Sequence, residues 1–205
     1  MTGILARAVG PTWSRIVIVT ERLDLVPAVI ESVRAALDGA VALSSALKAR
    51  VPSTWPPEYV DDAALQFTIA RLEEKPSAAG WWMYFAVLRG DPSDGRVLVG
   101  TAGFNGFPSA DGTAEVGYGI VSEYQRRGFA TEAVGGMLAH AFTFPEVSRV
   151  IAETLPALDL SIGVLRKCGF SLIGDGSEPG VIRFELTRAS DGRSGGDRGS
   201  GTSGG

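Results

Sequence analysis

The sequence predicts an α+β fold, a mixed, mostly antiparallel central sheet flanked by helices, and three observations predict it. Segments 81–89, 96–105 and 114–121 are rich in β-branched and aromatic residues. They are joined by Asp91-Pro92-Ser93-Asp94-Gly95 and by the turn 107–112, so they read as a three-stranded meander. Next, Ala130, Ala133, Val134, Met137, Leu138, Ala141 and Phe142 recur at helical spacing ahead of another strand, 148–155. Two strands separated by one helix make the single parallel pair, joined by a right-handed crossover. Finally, 205 residues with a hydrophobic fraction of 45% suffice for one domain with a full core.

Taken in order, residues 1–12 read as a flexible lead-in, and 13–188 as the domain. Strands at 15–19 and 20–27 follow from β-branched and alternating runs. Between 28 and 50 the spacing of Val29, Ile30, Val33, Leu37, Leu43 and Leu47 gives two helices that break near Asp38-Gly39. The run VPSTWPP, 51–57, cannot be helical because its prolines remove donors and constrain their neighbours. Asp61 or Asp62 caps a helix reaching Glu74, with Ala64, Leu65, Phe67, Thr68 and Leu72 as its inner face. After the strand 148–155 come a short helix, 159–168, closed by Gly169, and a last hairpin, 170–173 with 181–187. From Ala189 onward Gly, Ser and Asp dominate without an apolar period, so 189–205 reads as a disordered tail, native or appended.

Charge and rare residues narrow the function. A formal net charge of −4 offers no field for a phosphate backbone, which argues against nucleic acid as a partner, while an acidic surface tolerates a cationic amine. Cys168 is the single cysteine and His140 the single histidine, so neither an internal disulfide nor a cysteine-based zinc site can form, and no metal is expected. A reducing cytoplasm fits that usage. Arg7, Gly10, Pro11 and Arg15 interrupt the first 19 residues, and no run reaches membrane-spanning length, so a soluble protein with no membrane partner is expected.

The stretch AEVGYGIVSEYQRRGFAT, 114–131, carries the chemistry. Its alternation puts Ala114, Val116, Tyr118 and Ile120 on one face, and Glu115, Gly117, Gly119 and Val121 on the other. Glycines inside a strand forfeit packing and commonly make room for a ligand, so Glu115 is expected to border an open slot. The turn Gln125-Arg126-Arg127-Gly128 then feeds a helix start. The unpartnered N–H groups there and the positive end of the helix dipole suit an anion, most plausibly a phosphate. Arg126 and Arg127 add charge-assisted contacts.

Gln125 to Ala130 also fits the pattern Gln/Arg-x-x-Gly-x-Gly/Ala of the GNAT superfamily of N-acetyltransferases. AEVGYGIV and SIGVLRKCGF resemble two further stretches of that family, and ERLDLVP its opening strand. The branch most resembled holds the ribosomal-protein alanine N-acetyltransferases and many small-molecule relatives. Two positions depart from it: Val26 stands where a second arginine is usual, and Leu158 where an asparagine is, which removes a polar contact at each. The resemblance implies a GNAT-like sheet whose parallel strands splay to admit acetyl-CoA as co-substrate. Ile120 and Val121 would bond the amides of its pantetheine arm, and Arg126, Arg127, Gly128, Phe129, Ala130 and Thr131 would hold its pyrophosphate. It further implies helices and Trp55 walling an acceptor site.

An amine with a pKa near 10.4 is neutral in only about one part in ~10³ at pH 7, a cost of roughly 4–5 kcal/mol, so a positioned base is useful. Glu115 is the candidate base, against the alternative of a solvated or ion-paired strand glutamate. Glu153, alternating on the next strand, is the runner-up. The leaving thiolate needs a hydrogen-bond donor. Ser161 matches the serine at this position in the branch, with local helix capping as its alternative. Tyr124 is a further donor. Cys168, at a helix C-terminus, reads as packing rather than an acyl carrier. His140 reads as structural, and Trp81 and Trp82 as sheet packing, with the outward one lining an acceptor pocket. The expected activity is direct acetyl transfer from acetyl-CoA to a primary amine of a small molecule. Transfer to a protein N-terminus and an inactive acyl-CoA-binding module are the alternatives. A homodimer stays open as an assembly.

Overall fold

The computed structural model describes residues 6–8, 16–91 and 95–189. Among these, nine strands form one sheet in the order β1-β2-β3-β4-β5-β6-β7-β9-β8. They are β1 (Ala6–Ala8), β2 (Ile16–Val19), β3 (Leu23–Pro27), β4 (Met83–Asp91), β5 (Gly95–Phe104), β6 (Thr113–Ile120), β7 (Arg149–Thr154), β8 (Ser171–Asp175) and β9 (Ile182–Thr187). The helices are α1 (Ile30–Leu37), α2 (Ala40–Leu47), α3 (Asp62–Glu74), α4 (Phe129–Ala141) and α5 (Asp159–Lys167). Neighbouring strands pair antiparallel except β6 and β7, which flank α4 and run parallel. The α+β sheet with one parallel pair is therefore as expected.

Local chemistry sets the ends of these elements. Gly39 at φ 108° separates α1 from α2, and the Asp61 carboxylate accepts from the Ala64 N–H at 2.9 Å to cap α3. At the end of α5, Gly169 is left-handed with φ 89°. The Phe170 N–H returns to the Leu165 carbonyl and the Gly169 N–H to that of Arg166, which satisfies the last turn.

The alternation of β4 divides the core between the two faces of the sheet. Phe85 and Val87 pack with Leu98 against Val33 of α1, Leu43 of α2 and Leu65 and Leu72 of α3. Tyr84 and Ala86 face the other way, joining Val116 and Ile120 against Met137 of α4 and Leu165 of α5. Each large side chain so buried contributes about 1.5–3 kcal/mol, which fastens both helical layers to the sheet.

Some expected details differ. Within the expected lead-in, Ala6–Ala8 pairs with β2 as the edge strand; the rest of 1–12 lies outside the described residues, as do residues 92–94 of the expected turn and 190–205 of the expected tail. Trp81 ends a 3-10 turn, Pro76–Trp81, so β4 starts at Met83 and not at Trp81. On α3 the buried residues are Leu65, Thr68 and Leu72, whereas Phe67 is 51% exposed and meets Trp82 edge-on. Phe67 lies about 200° around the helix from Leu65, on the opposite face.

The start of α4 is tied to the β2–β3 turn by Glu132. Its carboxylate accepts from Thr20 Oγ1, from the Arg22 and Leu23 main-chain N–H groups, and from Arg22 Nε. Burial works against this charge, yet the bonds from Thr20 and Arg22, and the Arg22 charge itself, hold the Glu132 pKa below the usual carboxylate value. A carboxyl lowered in the folded state adds stability that is present above its unfolded pKa and lost as pH falls through the folded one. Glu132→Ala is expected to cost about 2–4 kcal/mol in urea unfolding at pH 7, because it strands several donors. The gap between the two proteins should narrow as pH falls below the ordinary value of 4.5.

Candidate active site

β6 and β7 start together and then part. Their pairing is confined to Thr113 with Arg149, Ala114 with Val150 and Glu115 with Ile151. Beyond that, β6 follows β5 as far as Ile120, and β7 follows β9 as far as Thr154. Residues 116–120 therefore leave about 17 Å of strand edge without a β7 neighbour. The closed end is clamped. Arg149 donates through Nε to Thr113 Oγ1 at 2.6 Å and pairs with Asp111 at 2.9 Å. Gly112, at φ 79°, lies where a Cβ would come within 2.5 Å of the Glu146 carbonyl.

Main-chain direction determines what the open end offers. The Glu115 carbonyl accepts from Asn105 N–H and the Val121 N–H donates to Val99, so odd-numbered residues of β6 spend their polar groups on β5. Those of Tyr118 and Ile120 point the other way, into the wedge. Gln125 Nε2 donates to the Ile120 carbonyl at 3.0 Å, so an extended ligand that bonds this carbonyl shares or displaces that contact. Val121 does not offer the main-chain group expected of it: its N–H serves Val99 and its carbonyl accepts from Tyr124.

The two glycines of the Glu115 face differ. A Cβ at Gly117 would meet nothing within 4 Å, which leaves the slot beside Glu115 open. At Gly119 a Cβ would come within 3.2 Å of Pro57, so this glycine admits the 51–61 segment rather than a ligand. Trp55 of that segment is half-buried against Phe85.

Glu115 is half-buried at the last paired position, where the wedge opens. Burial pushes its pKa up. A hydrogen bond from Asn105 opposes the rise, the charge of Glu153 adds to it, and that of Arg183 offsets it. A carboxylate so raised is a stronger base than a solvated one. Glu153 is in a different state. Its carboxylate accepts from Ser177 N–H and Oγ and from Arg183 Nε, and pairs with Arg183 Nη2 at 2.7 Å. Burial disfavours its charge, but these bonds outweigh it and hold the pKa down. The two carboxylates are thus shifted in opposite directions, Glu115 upward and Glu153 downward.

The turn expected to hold an anion leads directly into α4. Arg126 at φ 60° and Gly128 at φ 84° are left-handed, and α4 begins at Phe129 with no side-chain cap on its amides. The first-turn N–H groups of Phe129, Ala130 and Thr131 are thus left for an anion, which is a fit for a pyrophosphate. Arg126 is exposed, and the Arg127 guanidinium lies over the Tyr124 ring at 4.9 Å. A residue outside the sequence-derived set supports the loop: Arg22 donates to the Arg127 carbonyl at 3.1 Å, lies 4.5 Å over the Phe129 ring, and pairs with Glu132 at 2.7 Å. Its signal was the ERLDLVP stretch, but nothing local showed it reaching a loop 105 residues away.

Ser161 stands in the first turn of α5, behind Leu158 at the N-cap, and α5 has no side-chain cap. Its hydroxyl shares a hydrogen bond with Tyr118 Oη at 3.0 Å, and Tyr118 Oη also donates to the Ser161 carbonyl at 3.1 Å. Tyr118 lies on the face opposite Glu115, so Glu115 and Ser161 approach the wedge from its two sides. Tyr124 is buried and its hydroxyl accepts from Arg50 at 2.8 Å. The Cys168 thiol donates to the Thr131 carbonyl at 3.6 Å, and burial pushes its pKa up, which disfavours a thiolate. His140 sits among Trp81, Tyr84 and Phe144, where burial lowers its pKa. Trp81 is core, packed on Phe104 and Phe144, while Trp82 lies over Gly106.

The sheet is thus split beside one carboxylate, with a left-handed turn leading into the helix at the mouth of the split. The chain belongs to the GNAT acetyltransferase family: residues 22–171 match the family described as acetyltransferase (GNAT) domain. A similar curated protein is YoaA of Bacillus subtilis, called an uncharacterized N-acetyltransferase, 33% identical over 81 residues, which are 40% of this chain and 46% of YoaA. The chain thus matches less than half the length of that relative. Among solved structures, the microcin C7 self-immunity acetyltransferase MccE, seen with acetyl-CoA and AMP, shares the fold at 16% identity and a TM-score of 0.56, covering 86% of this chain and 98% of MccE. So does RimL, a ribosomal L7/L12 alpha-N-protein acetyltransferase in complex with coenzyme A, at 16% identity and 0.56, covering 83% and 97%. Among the described residues no helix is long and apolar enough to cross a membrane.

Because a side chain at residue 117 has space in the isolated protein but projects into the slot, Gly117→Val is expected to leave the melting temperature within a few degrees of wild type. It should lower acetyl transfer at least about tenfold. A variant that transfers at the wild-type rate would place the reacting centre elsewhere.

Proposed function

We propose that this protein is an acetyl-CoA-dependent N-acetyltransferase that moves the acetyl group directly to a primary amine of a small molecule. One observation carries the reading: Glu115, with its pKa raised, stands where β6 and β7 part and beside the open face of Gly117. Family membership supplies the co-substrate, and the wedge and the α4 amides fit its extended arm and its diphosphate.

In this reading acetyl-CoA lies along the free edge of β6, bonded by the inward main-chain groups of Tyr118 and Ile120. Its diphosphate rests on Gly128, Phe129, Ala130 and Thr131, with Arg126 and Arg127 at the rim. The acceptor enters from the Glu115 side and gives up its ammonium proton to that carboxylate, directly or through one water. The amine lone pair then attacks the thioester carbonyl carbon, the C–N bond forms, the C–S bond breaks, sulfur leaves with its electron pair, and the second proton, which the nitrogen sheds on becoming an amide, passes through solvent to that sulfur. Ser161 donates a hydrogen bond to that sulfur. No covalent enzyme intermediate is needed, and most of the acceleration comes from alignment and proton removal.

The test is calorimetry with acetyl-CoA followed by a screen for released coenzyme A over amines, polyamines, amino acids, aminoglycosides and peptide N-termini. Glu115→Gln is expected to lower kcat about 10²–10⁴-fold while leaving acetyl-CoA affinity within twofold. In the wild type kcat/KM should rise with pH through the Glu115 ionisation, because the base must be unprotonated, and the variant should lose that limb. Binding of acetyl-CoA without transfer to any amine would identify a binding module. Preference for peptides over small amines would identify a protein N-terminus as the acceptor.

A further inference from the structure

Beyond Glu115 and Ile151 the main chains of β6 and β7 no longer bond to each other, and α5 travels with the β7 half. Among the described residues, the hydrogen bonds that join the separated part of β6 to that half are the two made by Tyr118 to Ser161. Tyr118 is half-buried and packs, as Ile162 and Cys168 do, against the core on the face of the sheet that carries α4 and α5. Its phenol therefore reaches the first turn of α5 from within the wedge.

We propose that Tyr118 is a positioning residue for the acyl-transfer step, holding the Ser161 hydroxyl so that this hydroxyl donates to the departing sulfur. The proposal rests on the N-acetyltransferase reading and adds a residue to it. Two hydroxyls and one carbonyl allow two arrangements of the same atoms. In the first, Tyr118 donates to the Ser161 carbonyl at 3.1 Å and the Ser161 hydroxyl donates to Tyr118 at 3.0 Å, so the serine proton is occupied. In the second, Tyr118 rotates its proton onto Ser161 Oγ, which frees the serine proton for the sulfur. The distances barely differ, so exchanging the two arrangements needs only hydroxyl rotation.

The second arrangement is a donor chain, Tyr118 to Ser161 to sulfur, in which each bond strengthens the next. Burial, against the opposing bond to Ser161, pushes the Tyr118 pKa up to about 12, so the phenol donates without ionising near neutral pH. No proton is lost from either residue. As the C–N bond forms and the C–S bond breaks, the electron pair left on sulfur is stabilised by the Ser161 O–H; the first amine proton resides on Glu115 before passing to solvent, and the second, shed as the nitrogen becomes an amide, passes through solvent to the sulfur.

The experiment is a double-mutant cycle read in kcat and KM, with Tyr118→Phe, Ser161→Ala and the double variant in the full chain. Tyr118→Phe is expected to lower kcat about five- to thirtyfold, with the KM for acetyl-CoA within twofold and a melting temperature near that of wild type. Ser161→Ala should lower kcat at least as much, and the double variant no further than Ser161→Ala alone. Losses that multiply, a Tyr118→Phe enzyme with unchanged kcat, or a fully active Ser161→Ala enzyme would each overturn the proposal while the acetyltransferase reading stands. Should Tyr118→Phe fold poorly, unchanged kcat in Ser161→Ala still overturns it. A wild type that transfers to no acceptor overturns the function itself.

Discussion

The parallel ladder between β6 and β7 is three residue pairs long, and the site follows from where it stops. β6 stays with β5 to Ile120 and β7 with β9 to Thr154, so each strand continues with its own half of the sheet after the two part. Sheet twist carries the two halves apart once the clamp of Arg149 on Thr113 and Asp111 is passed. Main-chain groups left at the open edge are costly if buried without partners, about 1–3 kcal/mol each. Gln125 covers the Ile120 carbonyl in the isolated protein, and the amides of an extended ligand suit the remainder.

The elements around the wedge divide the work. On one side lie the 51–61 segment, seated against Gly119, and Glu115 beside the open Gly117. On the other, α5 brings Ser161 to Tyr118. At the mouth, α4 supplies amides, and its start is fastened to the β2–β3 turn through Glu132 and Arg22. Arg22 connects these roles: it holds Glu132 with Nε, the Arg127 carbonyl with Nη1, and the Phe129 ring with its guanidinium face.

Two carboxylates near the wedge show how environment assigns roles. Glu115 and Glu153 are both half-buried strand residues, and their charges act on each other. Arg183 pairs directly with Glu153 across β9 and Ser177 caps it, so that carboxylate remains charged and structural. Glu115 has a hydrogen bond from Asn105 and a pKa pushed up by burial. The pairing of β7 with β9 places Arg183 against Glu153 and leaves Glu115 without a direct ion pair among the described residues.

How much of this was legible in the sequence depends on how far apart the interacting residues lie. Features controlled within a few residues could be read directly: the Asp61 cap, the break at Gly39, the closure of α5 at Gly169, the glycine-bearing strand and the loop before α4. Each follows from backbone chemistry local to the chain. Phe67 was misplaced because its helix face depends on what packs against α3. Val121 was misassigned because the side of the strand on which its N–H points depends on pairing with Val99. The link from Tyr118 to Ser161 spans 43 residues, and that from Thr20 to Glu132 spans 112. The chain by itself determined which residues could hold an anion, offer a carboxylate or bend the backbone. Only the tertiary structure decided which of them meet, because those meetings are made by strands and helices whose contacts no local preference encodes.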